Sequence, residues 1–234
     1  MSVRSMFFKR YTLWLPKAWF LLLILFSLSL IFLTCFRGIG FFLAQTHPMH
    51  AEYLVVEGWQ AEQSLQQALL KFNEPTNQYR YLITTGGPST RWGKMAWSNY
   101  ADKSAHYFVS HGLSAAKVIS IPTPASAQNR TYLSAVMVRD WFARKSIKVN
   151  ALDVFSQGVH ARRTRLLYEL ALPASSIGVY ASEPEGYQLS RWWKTSQGSK
   201  AVLTEWIAFI WTICFFEPGA VGSHEEKWGS IISE

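Results

Sequence analysis

Cysteine is scarce in this chain of 234 residues, which contains only Cys35 and Cys214. Cys35 lies within a long apolar run, where it is poorly placed to form a bridge with Cys214. The sequence therefore excludes a disulfide scaffold and a cysteine-rich metal site. Charge is also scarce, since 16% of the residues are charged and 49% are hydrophobic. That composition excludes a disordered protein and predicts a packed core.

Acidic residues are absent before Glu52. Residues 19–36, WFLLLILFSLSLIFLTCF, carry no charge and are numerous enough to cross most of a hydrocarbon layer as a helix. Arg37 alone follows this run closely, whereas four basic residues precede it: Arg4, Lys9, Arg10 and Lys17. The positive-inside rule therefore predicts a single-pass anchor over residues 18–37, with residues 1–17 in the cytoplasm and the main domain on the opposite side of the membrane.

A cleaved signal peptide is the alternative for this segment. Its apolar core normally contains about 7–15 residues and is followed by a pair of small residues at the cleavage site. The apolar run is longer, and no such pair directly follows it. The sequence therefore favours an anchor that stays attached.

The formal net charge of +8 is concentrated around the apolar run. From Ala51 onward the chain has 18 basic and 15 acidic residues, which leaves a net charge of +3. This balance is ordinary for a folded surface, so it predicts no nucleic-acid partner.

Strand-like and helix-like segments alternate after residue 50. The strand-like segments are residues 52–56, 79–84, 117–121, 151–155 and 177–180, and the helix-like segments are residues 60–72, 97–111, 131–144 and 159–170. This alternation is typical of parallel α/β proteins. It predicts a three-layer α/β/α domain over residues 51–216, with a mostly parallel sheet of about five strands and helices on both faces. A linker over residues 38–50 precedes the domain, and a polar tail over residues 217–234 comes after it.

The segment Ala201–Phe216, AVLTEWIAFIWTICFF, is apolar enough to have two interpretations. It is either a helix packed on the sheet or a segment in contact with the membrane, as a second span or along the bilayer surface. Its short length and Glu205 favour the packed helix.

In an open parallel sheet, ligands bind beyond the carboxyl ends of the strands. The residues in question are Glu57 and Gly58 after the first strand, Gly86 and Gly87 after the second, and Ser156 after the fourth. Two successive glycines let backbone N–H groups approach an anion, although a plain structural turn explains them equally well.

The helix near Thr131 brings Arg130 to its positive end, where a phosphate or carboxylate could bind. The alternative is helix capping beside a surface arginine. Serine nucleophile chemistry is disfavoured because Ser156 lies outside a Gly-x-Ser-x-Gly motif, and the histidines lack metal-ligand spacing, so no metal is predicted.

The stretch at residues 156–169, SQGVHARRTRLLYE, contains one histidine and three arginines. Helical phase places His160 and Arg163 beside the face turned toward the sheet and pairs Arg165 with Glu169 in solvent. The apolar residues assigned to the buried face are Val159, Leu166, Leu167 and Leu170. With Glu57, His160 could exchange protons, and with Arg163 it could bind an anion. Alternatively, both residues only brace the loops against Glu57.

Five motifs in order resemble the YdcF/SanA/ElyC-like family of bacterial envelope proteins: LVVEGW, TTGGP, NRTYLSA, HARRTRLLYE and RWWKTSQG. The resemblance covers about residues 51–216. It implies a Rossmann-like domain, often tethered to the bacterial inner membrane, with a role in envelope and peptidoglycan biogenesis. Together with the predicted orientation of the anchor, the resemblance implies that the main domain lies in the periplasm.

Residue by residue, the family's Gly-Gly turn falls on Gly86 and Gly87, its helix-start motif on Arg130 and Thr131, and its His-x-x-Arg motif on His160 and Arg163. The chain departs from many members at the first strand, where Glu57, Gly58 and Trp59 replace a glycine-rich turn. There we expect Glu57 to pair with Arg130 or Arg163.

Two functions are consistent with these features as hypotheses. In the first, the domain binds a phosphorylated, lipid-linked or nucleotide-like ligand, with Glu57 and His160 as acid and base if it is a hydrolase or transferase. Its ligand-binding residues are Gly58, Gly86, Gly87, Arg130, Thr131, Ser156 and Arg163. In the second, the domain is a non-enzymatic scaffold that binds envelope-assembly proteins through residues 192–216. The sequence identifies no cofactor and does not decide whether the protein is an enzyme.

Overall fold

The computed structural model describes residues 16–88, 97–126 and 128–229. The chain divides into two compact units, residues 1–38 and residues 39–234. Among the described residues, one helix, α1 (Ala18–Leu43), is long and apolar enough to cross a membrane. Three of the basic residues used to orient it, Arg4, Lys9 and Arg10, lie outside the described residues.

The second unit contains a sheet of five strands, all parallel, in the order β3-β2-β1-β4-β5. The strands are β1 (Tyr53–Glu57), β2 (Tyr81–Gly86), β3 (Val118–Pro122), β4 (Ala151–Ser156) and β5 (Ser176–Ala181). The predicted α/β fold with about five mostly parallel strands is confirmed. The strand ends differ from the prediction by two residues at most.

Six further α-helices and three short 3₁₀ helices belong to this unit among the described residues. The α-helices are α2 (Glu62–Asn73), α3 (Tyr100–Ser110), α4 (Arg130–Arg144), α5 (Ala161–Ala171), α6 (Ser196–Phe215) and α7 (His224–Trp228). Successive side chains of β1 pack in the hydrophobic clusters on opposite faces of the sheet, as expected for a strand covered on both faces. Val55 packs with residues of α4 and α5, whereas Leu54 and Val56 pack with residues of α2 and α3.

The buried face of α5 differs from the predicted one. Leu170 is 38% exposed and Leu166 is only partly buried, whereas Thr164 and Tyr168 are fully buried. Val159 and Leu167 are buried as predicted, but the rest of the buried face was assigned wrongly, because it includes a threonine and a tyrosine that a count of apolar residues leaves out. The predicted solvent-side ion pair of Arg165 with Glu169 is present, at 2.8 Å.

The predicted linker and tail contain more structure than expected. α1 continues to Leu43, beyond the predicted end at residue 37, and its Gly40 packs closely on Trp192, whose ring would be 2.9 Å from an added Cβ. His47 then forms an antiparallel bridge with Val179 of β5. In the tail, α7 is fixed to α4 by Glu226, whose carboxylate accepts two hydrogen bonds from Arg139.

Candidate functional site at the carboxyl edge of the sheet

The candidate site lies where the sheet changes its winding direction. The chain leaves β1 toward β2 on one side, and it returns from β3 to place β4 on the other side of β1. Ligands of open parallel sheets bind beyond the carboxyl ends of the strands at such a point. The last residues of these two strands are Glu57 and Ser156.

The Glu57 carboxylate is 2% exposed and is held by two hydroxyl groups. Ser156 Oγ donates to Glu57 Oε2 at 2.5 Å, and Thr164 Oγ1 donates to the same oxygen at 3.4 Å. The two hydroxyl oxygens are 3.0 Å apart, and both residues are fully buried. Oε2 is therefore occupied by the domain's own donors, which leaves Oε1 to face His160.

His160 lies between two carboxylates at the end of the 3₁₀ turn that separates β4 from α5. Its Nδ1 is 2.9 Å from Glu205 Oε2, and its Nε2 is 3.7 Å from Glu57 Oε1. Nε2 is also 3.3 Å from Thr131 Oγ1, and the Trp59 ring meets the imidazole edge to face. The His160 side chain is 12% exposed, so it is shielded but reachable from solvent.

Arg163 pairs with Glu205 of α6. Its Nε donates to Glu205 Oε1, and its Nη2 is 3.4 Å from Oε2. The prediction that Glu57 pairs with Arg130 or Arg163 is therefore wrong. The cause is tertiary packing, since Glu205, from a helix later in the chain, pairs with Arg163 instead. Arg130 is exposed and forms no ion pair with any residue that the structure describes.

The two carboxylates determine the protonation of His160. Burial alone would lower the pKa of His160, but the Glu57 and Glu205 carboxylates raise it to about 9. Burial would likewise raise the pKa of Glu205, but His160 and Arg163 lower it to about 2. His160 is therefore a cation at neutral pH and donates from both ring nitrogens. Arg163 Nη2 is 3.0 Å from His160 Nδ1, and Glu205 offsets this repulsion because it accepts from both cations.

We call Glu57, His160, Arg163 and Glu205 the carboxyl-edge cluster. The negative charges of its two carboxylates balance the positive charges of its two cations, so the cluster exerts no net long-range attraction on an anion. Glu205 already accepts from Nδ1 of His160 and from Nε and Nη2 of Arg163. Nε2 has only contacts of 3.3 and 3.7 Å, which are long for hydrogen bonds. The His160 Nε2–H group is thus the donor that a ligand oxygen could use.

Three glycines predicted to bind an anion lie at the same edge but outside the carboxyl-edge cluster. An added Cβ on Gly58 would be 2.4 Å from Tyr100 O in α3, and the Gly58 N–H donates to a β2 carbonyl. Gly86 has φ +143°, and an added Cβ there would be 2.8 Å from Tyr100 Cβ. An added Cβ on Gly87 would be 2.9 Å from Thr123 Oγ1. Close approach of neighbouring chain segments accounts for all three glycines.

The start of α4 borders the carboxyl-edge cluster through Thr131. Asn129 precedes the helix in a left-handed conformation, with φ 47°, and its side chain makes no capping hydrogen bond. The N-terminal amides of α4 are therefore not capped by Asn129, and Arg130 is exposed beside them. This helix end adds positive potential next to His160.

Sequence reasoning missed three residues of the site. Glu205 was treated only as a reason against a membrane span, although a lone carboxylate in an apolar helix signals a buried ion pair. Thr164 was overlooked because only apolar residues were used to assign the buried face. Tyr168, whose pKa is raised by burial and by the Glu57 carboxylate, lies on that same face. In the described parts of the chain, no three His, Cys, Asp or Glu side chains form a group that could hold a metal ion.

Comparisons of the chain with protein-family models and with curated proteins give no match. Membership of the YdcF/SanA/ElyC-like family therefore stays a proposal.

Proposed function

We propose that this protein is a membrane-anchored, extracytoplasmic domain of the bacterial envelope that binds a phosphorylated ligand at the carboxyl edge of its sheet. The observation that carries the proposal is the His160 imidazolium, which is held charged between two carboxylates and keeps one N–H group weakly engaged. A charged donor of this kind forms strong hydrogen bonds with phosphate oxygens.

The start of α4 supplies the rest of the proposed phosphate site. Thr131 Oγ1 is already within 3.3 Å of His160 Nε2, and Arg130 is exposed one residue earlier on the same helix turn. Helix N-termini bind phosphate through their amide groups and dipole. Because the carboxyl-edge cluster is neutral overall, Arg130 and this helix end are the groups that attract an anion.

The structure suggests different roles for the two residues predicted to be acid and base. Glu57 is 2% exposed and its Oε2 accepts from two hydroxyl groups, so it acts by keeping His160 charged rather than by contacting substrate. His160 is the group that reaches the ligand. If the protein turns over its ligand, hydrolysis or group transfer at phosphorus is the chemistry that such a donor would assist.

The envelope role rests on two supports. One is α1, which is long and apolar enough to span a membrane, together with the excess of basic residues before it. The other is the family resemblance, whose motifs include His160, Arg163, Arg130 and Thr131. A ligand linked to undecaprenyl phosphate or to a nucleotide would fit both supports.

Thermal unfolding of the full chain in detergent micelles tests the ligand. The probes are inorganic phosphate, a uridine diphosphate sugar and undecaprenyl phosphate. A ligand that binds only the folded state raises the unfolding temperature. At a free ligand concentration one hundred times the dissociation constant, it adds about 2.7 kcal/mol to the free energy of unfolding. We expect one or more probes to stabilise the native protein, His160→Gln to abolish that effect, and Arg130→Ala to weaken it.

Arg165→Ala is the matched control, because Arg165 lies on the same helix as Arg163 but pairs with Glu169 in solvent. This variant should respond to the probes like the native protein. Equal stabilisation of the native protein and His160→Gln would contradict the proposed site, as would a native protein that none of the three probes stabilises.

A further inference from the structure

Helix α6 has one buried face and one apolar face that nothing in the described chain covers. Its buried face includes Val202 and Phe209, together with Glu205 of the carboxyl-edge cluster. The opposite face exposes large hydrophobic side chains, with Ile207 at 68% and Phe215 at 70%. The residues of this face are Leu203, Ile207, Ile210, Trp211, Ile213 and Phe215, which we call the α6 apolar face.

An ordinary surface helix has polar residues on its outer side. The outer side of α6 carries Lys200 in its first half, but residues 206–216 contain no Asp, Glu, Lys or Arg. A helical segment that is apolar all round is typically buried or in contact with lipid. The outer side of the second half of α6 therefore requires an apolar partner.

The chain itself indicates which partner that is. Phe42 packs edge to face on Trp206 and Phe209 of α6, with ring centroids 5.8 and 5.6 Å apart. Phe42 comes six residues after Phe36, the end of the uncharged run, and even a fully extended chain of that length spans only about 20 Å. If that run crosses a bilayer, Phe42 and the part of α6 that packs on it lie within about 20 Å of the membrane surface.

The surroundings of Phe42 fit a lipid interface. Phe41 is exposed beside it, and the Arg162 guanidinium lies 3.8 Å above the Phe42 ring. The Arg162 Nε also donates to the Phe42 carbonyl oxygen, so a cation is held at the margin of the apolar surface, where long basic side chains keep their charged heads at a membrane interface. Trp211 adds an indole, a group enriched at membrane interfaces.

We propose that the α6 apolar face lies on the membrane surface, with its side chains in the interfacial region of the bilayer that α1 crosses. This inference rests on the membrane anchoring proposed above. It implies that Glu205, on the inner side of the same helix, holds His160 close to the lipid surface. The carboxyl-edge cluster would then meet a ligand whose lipid part stays in the bilayer.

The two native cysteines provide the test, because Cys35 lies in α1 and Cys214 lies in α6, and both are exposed. The full chain would be reconstituted in nanodiscs of phosphatidylethanolamine and phosphatidylglycerol, with a nitroxide label on Cys214 in Cys35→Ser or on Cys35 in Cys214→Ser. Collisions of the label with oxygen report lipid, and collisions with a water-soluble nickel complex report water. A Leu70→Cys label in a cysteine-free background is the control, because Leu70 is an exposed apolar residue of α2.

We expect the ratio of oxygen to nickel collisions to be several-fold higher at Cys214 than at Leu70→Cys, and highest at Cys35. A Cys214 label that collides with nickel as often as the Leu70→Cys label would overturn the α6 proposal. A high oxygen-to-nickel ratio at Cys35 in the same experiment would still support the anchor. Protection of the Cys214 label from both reagents would also overturn the α6 proposal and would mean that a protein covers this face. If that protein is a second copy of this chain, the two labels come close and dipolar coupling broadens the nitroxide spectrum. Water exposure at Cys35 as well would overturn the anchor itself.

Discussion

Two buried carboxylates on adjacent strands, Glu57 of β1 and Asp153 of β4, have different surroundings. Asp153 is fully buried and accepts hydrogen bonds from Met49 N at 2.7 Å, Ala51 N at 3.1 Å and the Tyr79 hydroxyl at 2.6 Å. None of these donors is a cation. Asp153 thus fixes the segment that enters the first strand to the sheet.

The space for Asp153 depends on Gly178, its register partner on β5. An added Cβ at Gly178 would be 1.9 Å from Asp153 Oδ1 and 2.5 Å from Met49 N. Neighbouring strands are therefore shaped around this carboxylate, as expected of a structural hydrogen-bonding centre.

Glu57 is buried as deeply, but it faces the ionisable ring of His160, which a second carboxylate and an arginine also contact. The difference teaches that burial of a carboxylate does not by itself indicate a functional site. Coupled ionisable neighbours at the carboxyl edge, where ligands bind, are the feature that distinguishes Glu57 from Asp153.

Asp153→Ala should have the largest effect on stability. It leaves two backbone N–H groups and the Tyr79 hydroxyl buried without an acceptor, at a cost of about 4 kcal/mol. For a domain of this size that corresponds to a fall of about 10 °C in unfolding temperature, measured by tryptophan fluorescence in micelles. Ligand responses should be unchanged at temperatures where the variant is folded. Glu52→Ala, which removes an exposed pair with Arg80, is the control and should cost less than about 0.5 kcal/mol.

Glu205→Gln should come next, at about 3 kcal/mol, because it leaves Arg163 and His160 side by side without their shared carboxylate. Unlike Asp153→Ala, it should also lower the pKa of His160. Glu169→Gln, in the solvent-side pair with Arg165, should change stability by less than about 0.5 kcal/mol. Equal losses for Glu205→Gln and Glu169→Gln would show that the carboxyl-edge cluster is no more than a surface ion pair.

The carboxyl-edge cluster and the surroundings of Asp153 should also differ in how they affect the pH dependence of stability. The pKa of His160 is raised from 6.5 in the unfolded chain to about 9, so its contribution is fully present below pH 6.5 and is lost as the pH rises through 9. We expect the native protein to lose on the order of 3 kcal/mol between pH 6.5 and 9.5 from this group. His160→Gln should lack that loss, whereas Asp153→Ala should retain it. A loss of the same size in His160→Gln would assign the pH dependence to other residues.

At acidic pH the dependence of stability on pH has the opposite sign. Because the pKa of Glu205 is lowered from 4.5 to about 2, its contribution is present above pH 4.5 and is lost as the pH falls toward 2. The carboxyl-edge cluster therefore stabilises the fold most strongly between about pH 4.5 and 6.5.

The sequence predicted the sheet because each strand is a short apolar segment with a helix-like segment after it. It also placed Glu57, Ser156 and His160 near one another, since the carboxyl ends of parallel strands share an edge. It did not identify Asp153, which stands inside an apolar strand and finds its donors about 74 and 102 to 104 residues earlier in the chain. Glu205 was missed for the same reason, because only the packing of α6 brings it to His160.

The pKa of His160 in the full chain is the most direct test of the charge state assigned to the carboxyl-edge cluster. It can be measured by NMR titration of histidine-labelled protein in micelles, with His160→Gln used to assign the resonance. We predict that His160 titrates near pH 9 in the native protein and at lower pH in Glu205→Gln. Titration near the ordinary histidine value of about 6.5 in both proteins would contradict that charge state.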